Sequence, residues 1–227
     1  MNYGTVIPGR FLHRPNRFIA LVETEEGQQV CHVKNTGRCR ELLVPGATVY
    51  LEQAENPARK TRYDLIAVEK GERLINMDAQ APNRVFAEWA ASGGFLPEVE
   101  RILPEYRYGD SRLDFCIETA KGKRHLVEVK GVTLEEHGHA SFPDAPTERG
   151  VRHIHELERA AREGLDATLF FVVQMNDILS VAPNDRTHPA FGTALREAVR
   201  NGVRVQAWEC QVTPESLFIQ KPVPIIL

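Results

Sequence analysis

The chain has 227 residues, 42% hydrophobic and 26% charged, with a formal net charge of −3. That composition belongs to a globular protein able to bury one large core or two small ones, and its longest apolar runs fall far short of the roughly 20 residues of a bilayer span. No charged start followed by an apolar block marks a secretory leader, and four cysteines without a C-x-x-C pair or an even ladder (Cys31, Cys39, Cys116, Cys210) predict reduced thiols in a cytoplasmic protein.

Residues 1–75 read as short strands broken by turns. Segments 17–22 and 29–33 are β-rich and flank a turn at 24–27; 47–53, opened by Pro45-Gly46, and 65–69 are two further strands. Strands at this spacing predict a small all-β barrel or sandwich. Charge is uneven along the chain: residues 1–75 carry 11 basic against 9 acidic side chains, and the remainder 17 against 22. The basic residues fall in three stretches, Arg10, Arg14 and Arg17, then Lys34, Arg38 and Arg40, then Arg59, Lys60 and Arg62. Convergence of these stretches would make a cationic patch that the net charge hides.

After Ile75 the pattern changes. A helix is predicted over 82–92, stopped by Gly93-Gly94. Strands follow at 105–108, 112–118 and 125–130, the last two joined by a hairpin-like turn at 119–123. A helix over 147–163 carries Val151, Ile154, Leu157 and Ala161 on one stripe, with Thr147 as its N-cap. The apolar run 168–174 has the composition of a strand covered on both faces. A helix over 189–201 and a strand over 203–209 complete the series. The fold class is α/β with an all-β N-terminal part, divided at residues 1–78 and 79–227.

The chemistry concentrates in two strands. Glu128 and Lys130, two residues apart, project from one side of their strand, while Val127 and Val129 point the other way. Asp114 lies between Leu113 and Phe115 and alternates off their face. Closing the hairpin brings Asp114 beside Glu128 and Lys130. Two adjacent carboxylates repel unless a cation or a shared proton sits between them. Paired with waters they form a hard-oxygen site suited to Mg2+ or Mn2+, and a neighbouring lysine can stabilise charge developing on a phosphate. The plain alternative is a cross-strand salt bridge. The histidines His137, His139, His153 and His155 show no zinc-ligand spacing.

Asp114…Glu128-x-Lys130, framed by helix, hairpin, helix and strand, resembles the PD-(D/E)xK nuclease superfamily. Longer blocks resemble the sugar fermentation stimulation protein A (SfsA) family: His32-Val-Lys-Asn-Thr-Gly-Arg-Cys-Arg-Glu-Leu, Asp110-Ser-Arg-Leu-Asp-Phe, Val127-Glu-Val-Lys-Gly-Val-Thr-Leu and Phe142-Pro-Asp-Ala-Pro-Thr-Glu-Arg-Gly-Val-Arg-His. The resemblance implies an OB-fold-like barrel followed by a nuclease-like mixed sheet flanked by helices, and a DNA-binding role tied to sugar utilisation. Two alternatives stand beside it, an active Mg2+- or Mn2+-dependent deoxyribonuclease and a regulator that acts by protein contacts on an inert scaffold.

Within that frame Asp114, Glu128 and Lys130 are the candidate catalytic residues. Asp114 and Glu128 are the candidate metal ligands, with Glu88 standing in for the first-helix acid of the superfamily, which no motif marks. Lys34, Asn35, Thr36, Arg38, Arg40, Arg14, Arg17 and Arg149 are the candidate DNA contacts, chiefly to phosphates. No membrane association is expected, and the oligomeric state is open, a homodimer being one option. Cys39 and Cys116 read as small packing residues rather than nucleophiles.

Overall fold

The computed structural model describes residues 1–35 and 37–227; Thr36, one of the candidate DNA contacts, lies outside them. Five strands form the N-terminal barrel: β1 (Val6–Asn16), β2 (Ile19–Thr24), β3 (Gly27–Val33), β4 (Thr48–Gln53) and β5 (Tyr63–Lys70), with β6 (Arg73–Asn76) folded back on β5. The sheet runs β3-β2-β1-β4-β5-β6, and a parallel pairing of β3 with β5 closes it. The expected barrel is present, but β1 escapes sequence reading because Pro8 and Pro15 look like strand breakers. Both are accommodated. Pro8 sits opposite Tyr50 of β4, before the β2 pairing begins at Arg10, and Pro15 falls in an irregular step of the β1–β2 ladder between His13 and Asn16.

The second part runs α1 (Ala81–Ala91), β7 (Val99–Tyr108), β8 (Ser111–Thr119), β9 (Arg124–Val132), β10 (Leu134–Glu136), β11 (His139–Phe142), α2 (Glu148–Arg162), β12 (Asp166–Val173), β13 (Ser180–Pro183), α3 (Pro189–Arg200), β14 (Arg204–Thr213) and β15 (Ser216–Pro222). Its main sheet is ordered β15-β14-β12-β9-β8-β7, parallel at the centre and antiparallel at both edges. A smaller sheet, β10-β11-β13, stands beside it. These short strands are absent from the sequence reading, since three or four residues carry too little alternation to register, and the seven-residue β15 is absent as well.

The central strand β12 explains the layering. Leu169, Phe171 and Val173 share one core cluster with Ile154, Leu157 and Phe191 of α2 and α3; Phe170 and Val172 share another with Val85, Phe86 and Ala90 of α1. A strand buried on both faces needs apolar residues at every position, hence the unbroken apolar run. Residues 1–3 depart from the two-part division. Asn2 bridges Ser216 of β15, and Met1 and Tyr3 pack in the α1-side cluster, so the first residues belong to the second sheet rather than to the barrel.

Candidate functional site

The β8–β9 register pairs Phe115 with Val127 and Cys116 with Leu126, and one further step brings Asp114 opposite Glu128. Simple alternation breaks here. Leu113 packs in the α2-side cluster and Phe115 in the α1-side cluster, so Asp114 does not lie opposite a shared Leu113–Phe115 face as its neighbours suggested. Its carboxylate turns instead between the strands and the start of α1, accepting hydrogen bonds from the Val129 amide at 2.8 Å and from Asn83 Nδ2 at 2.8 Å.

Glu128 is 1% exposed. Its Oε1 accepts from Lys130 Nζ at 2.5 Å and from His153 Nδ1, while Oε2 faces the Asp114 amide at 3.4 Å. Arg149 Nε donates to His153 Nε2 at 3.4 Å, so the histidine carries its proton on Nδ1, toward Glu128. The two carboxylates are driven apart electrostatically. Burial and then the neighbouring Glu128 raise the Asp114 pKa above the ordinary carboxylate value. Burial also acts to raise Glu128, but the His153 hydrogen bond and the Lys130 charge outweigh it, and the net shift is downward. The site thus holds one carboxylate stabilised as an anion beside another that resists ionisation.

A cleft of about 370 Å3 opens over Lys130, bounded by Asn83, Gly131, Gln174, Asn35 and Gly37 of the barrel, and the 142–147 loop. Two glycines keep it open. A Cβ on Gly131 would lie 2.4 Å from Gln174 Oε1, and one on Gly37 would lie 2.6 Å from Asp144 Oδ2. The candidate metal ligands offer two hard carboxylates, which fit a dication such as Mg2+ or Mn2+ completed by water. Among the described residues no three His, Cys, Asp or Glu side chains cluster to enclose an ion.

Glu88 does not join this group. Its half-exposed carboxylate pairs with the N-terminal ammonium at 2.8 Å and with Arg84 at 3.3 Å. Five helical positions separate it from Asn83, which turns it about 140° around α1 from the residue that meets Asp114. The residue that α1 does contribute is Asn83. Neither it nor His153 was singled out as a site residue from sequence; the one available signal was the crowding of Arg149, Arg152 and His153 at the entrance of α2. The expected cap there is present, with Thr147 Oγ1 accepting from the Gly150 amide at 3.0 Å.

The barrel candidates divide in the same way. Arg14 directs its guanidinium at four backbone carbonyls, of Arg17 (2.5 Å), Asn35 (2.6 Å), Gly37 (2.8 Å) and Arg38 (3.1 Å). With its terminal donors so engaged, it organises the loop and has little left for a phosphate. Lys34 is held by Asp78 at 2.9 Å and Glu52 at 3.6 Å, and Asn35 bonds the Met77 carbonyl and the Gly37 amide. Arg17, Arg38 and Arg40 remain exposed around a shallow depression beside Arg14, and none makes an ion pair among the described residues. Arg149 is exposed, two residues beyond Thr147 of the cleft lining. Burial pushes the Cys39 thiol up to about 12 and the Cys116 thiol up to about 11, as packing residues require.

Comparison with known proteins covers nearly the whole chain. The family model described as "SfsA N-terminal OB domain" matches residues 12–77, and that described as "Sugar fermentation stimulation protein RE domain" matches residues 80–216. A sugar fermentation stimulation protein homolog of Clostridium beijerinckii is 50% identical over 100% of both chains. One from Desulfitobacterium hafniense is 54% identical over 96% of this chain and 94% of its own. Among solved structures, Pyrococcus furiosus SfsA in complex with Ca2+ is 30% identical, with a TM-score of 0.89 over 100% of this chain and 98% of that one.

Proposed function

The chain belongs to the sugar fermentation stimulation protein family, and from that premise we propose that it binds DNA with little sequence preference and carries a divalent-cation site of nuclease type at Asp114 and Glu128. The observation that carries this reading is the pairing of the buried Glu128 with the half-buried Asp114, with Lys130 2.5 Å from Glu128 Oε1. A surface salt bridge would have no reason to bury a second carboxylate beside the first. The Ca2+ complex of the Pyrococcus furiosus relative supports a hard dication, with Mg2+ or Mn2+ as the physiological choice.

When bound, such a dication polarises a phosphodiester and acidifies a water. Asn83 and the Val129 amide fix the Asp114 carboxylate, and His153 fixes that of Glu128. Lys130 offsets negative charge developing on the phosphate. Arg17, Arg38 and Arg40 hold the backbone electrostatically, and the role in sugar utilisation that the family name carries would run through this contact, in the cytoplasm. The intact Lys130 favours a second reading, an active Mg2+- or Mn2+-dependent deoxyribonuclease.

Calorimetric titration of Mn2+ and Mg2+ into wild type and Asp114→Ala, with a nuclease assay alongside, tests the site. Wild type should bind and Asp114→Ala should not; absence of heat in wild type at millimolar metal would leave a silent scaffold acting by other contacts. DNA affinity should fall steeply with salt, and Arg38→Ala should weaken unrelated sequences equally and reduce the salt slope by about one. A loss confined to one sequence would indicate base readout instead.

A further inference from the structure

The outward face of β2 and β3 has an unusual composition for a barrel surface. Ala20, Val22, Cys31 and Val33 point inward and are buried. The opposite positions pair Leu21 with Val30 and Ile19 with His32, where polar residues would ordinarily face water. Val30 is 51% exposed, and Phe18, just before β2, is 44% exposed with the Arg17 guanidinium 4.8 Å from its ring centroid. His32 is fixed through Nδ1 to Asp64 Oδ1 at 2.9 Å, and Arg59, from the β4–β5 loop, neutralises Asp64 through both oxygens at 2.7 and 2.9 Å.

Phe18, His32, Arg59 and Gln80 border a cavity of about 500 Å3, which shares Asn35 and Ala79 with the cleft over Lys130. One track therefore runs from the exposed ring on the barrel to Asn83 and Lys130, the side chains that bond Asp114 and Glu128. Exposed rings and apolar side chains can engage base faces, which a duplex keeps stacked on one another. Arg17, Arg38 and Arg40 line a neighbouring depression that shares Gly37 with the cleft over Lys130, and their charge complements a phosphate backbone. In barrels of this topology the face of strands 2 and 3, with the loops joining strands 1–2 and 4–5, is the surface that holds oligonucleotides.

We propose that this track binds an unpaired DNA strand, with Phe18 as the platform on which a base stacks and with the strand passing Asn35 toward Asp114 and Lys130. The inference rests on the DNA-binding reading above and specifies its substrate as single-stranded. The test is fluorescence anisotropy in EDTA, using a labelled mixed-sequence single strand and its duplex against wild type, Phe18→Ala and Phe18→Tyr. Because Phe18 is exposed, its truncation leaves the fold intact. The single strand should bind at least about 10-fold more tightly than the duplex, and Phe18→Ala should weaken it roughly 5- to 150-fold, the range for loss of one stacked base. Phe18→Tyr should restore the affinity, and duplex binding should move less than about twofold across the variants. Equal affinity for duplex and single strand, or a Phe18→Ala protein that binds the single strand like wild type, overturns the track while leaving DNA binding standing. Failure of wild type to bind either form removes the DNA reading itself and the track with it.

Discussion

Glu135 and Asp114 are both carboxylates drawn out of water near the junction of the barrel with the second sheet, yet their surroundings are opposite. Glu135 accepts hydrogen bonds from Lys70 at 3.0 Å and the Gly138 amide at 2.6 Å, and pairs with Arg73 at 2.8 Å. Burial works to raise its pKa, but these donors outweigh burial and the net shift is downward. Asp114 has only neutral donors of its own, and burial followed by the anionic Glu128 outweighs the nearby Lys130 charge, so its pKa moves upward. Glu135 is a latch whose charge is spent holding β5 and β6 to β10. Asp114 keeps charge in reserve, at a cost in stability that a bound cation would offset. A buried acid discloses its role through what it lacks as much as through what it touches.

Removing the latch should have the largest effect. Glu135→Ala leaves Lys70 and Arg73 half-buried without a counter-charge and should cost about 3 kcal/mol in chemical denaturation, the low end for breaking a buried ion pair. Because the folded-state pKa of Glu135 is depressed, its stabilisation is complete above the ordinary carboxylate range. It is lost as pH falls through the depressed value, and a pH series of melts on wild type and Glu135→Gln should converge in acid. A constant gap between the two down to low pH would show that the latch is not electrostatic.

His153→Ala comes next. It should lower metal affinity by about 10-fold in calorimetry, as loss of a hydrogen bond that orients a ligand does, and His153→Gln should recover part of that loss. Affinity unchanged in His153→Ala would mean that Lys130 alone holds Glu128 in place. The smallest effect has the opposite sign. Asp114→Asn retains groups able to bond Asn83 and Val129 while removing the like charge, so the metal-free protein should gain about 1 kcal/mol. A destabilised Asp114→Asn protein would erase the distinction from Glu135 and favour a structural salt bridge.

Much of the fold and part of the site can be read directly from the chain. The two-residue period of a strand puts Glu128 and Lys130 on one side, and a hairpin of ordinary length returns Asp114 to them. The N-cap at Thr147 and the doubly buried strand β12 are likewise local, because capping and burial leave marks at fixed short spacings. The barrel was legible except for β1, whose prolines mimic a break.

What lay beyond the sequence depends on contacts between distant segments. His153 reaches Glu128 from 25 positions away and Asn83 reaches Asp114 from 31, and no periodicity encodes such a meeting. Glu88 was plausible by type but turned away by helical phase, and Arg14 and Lys34 were plausible by charge but absorbed by carbonyls and carboxylates of folded loops. Local order along the chain specifies which residue types alternate on which strands and where helices begin. Which charges are already satisfied and which remain to bind something else is set by folding, because a charge is neutralised by its neighbours in space, and folding chooses them.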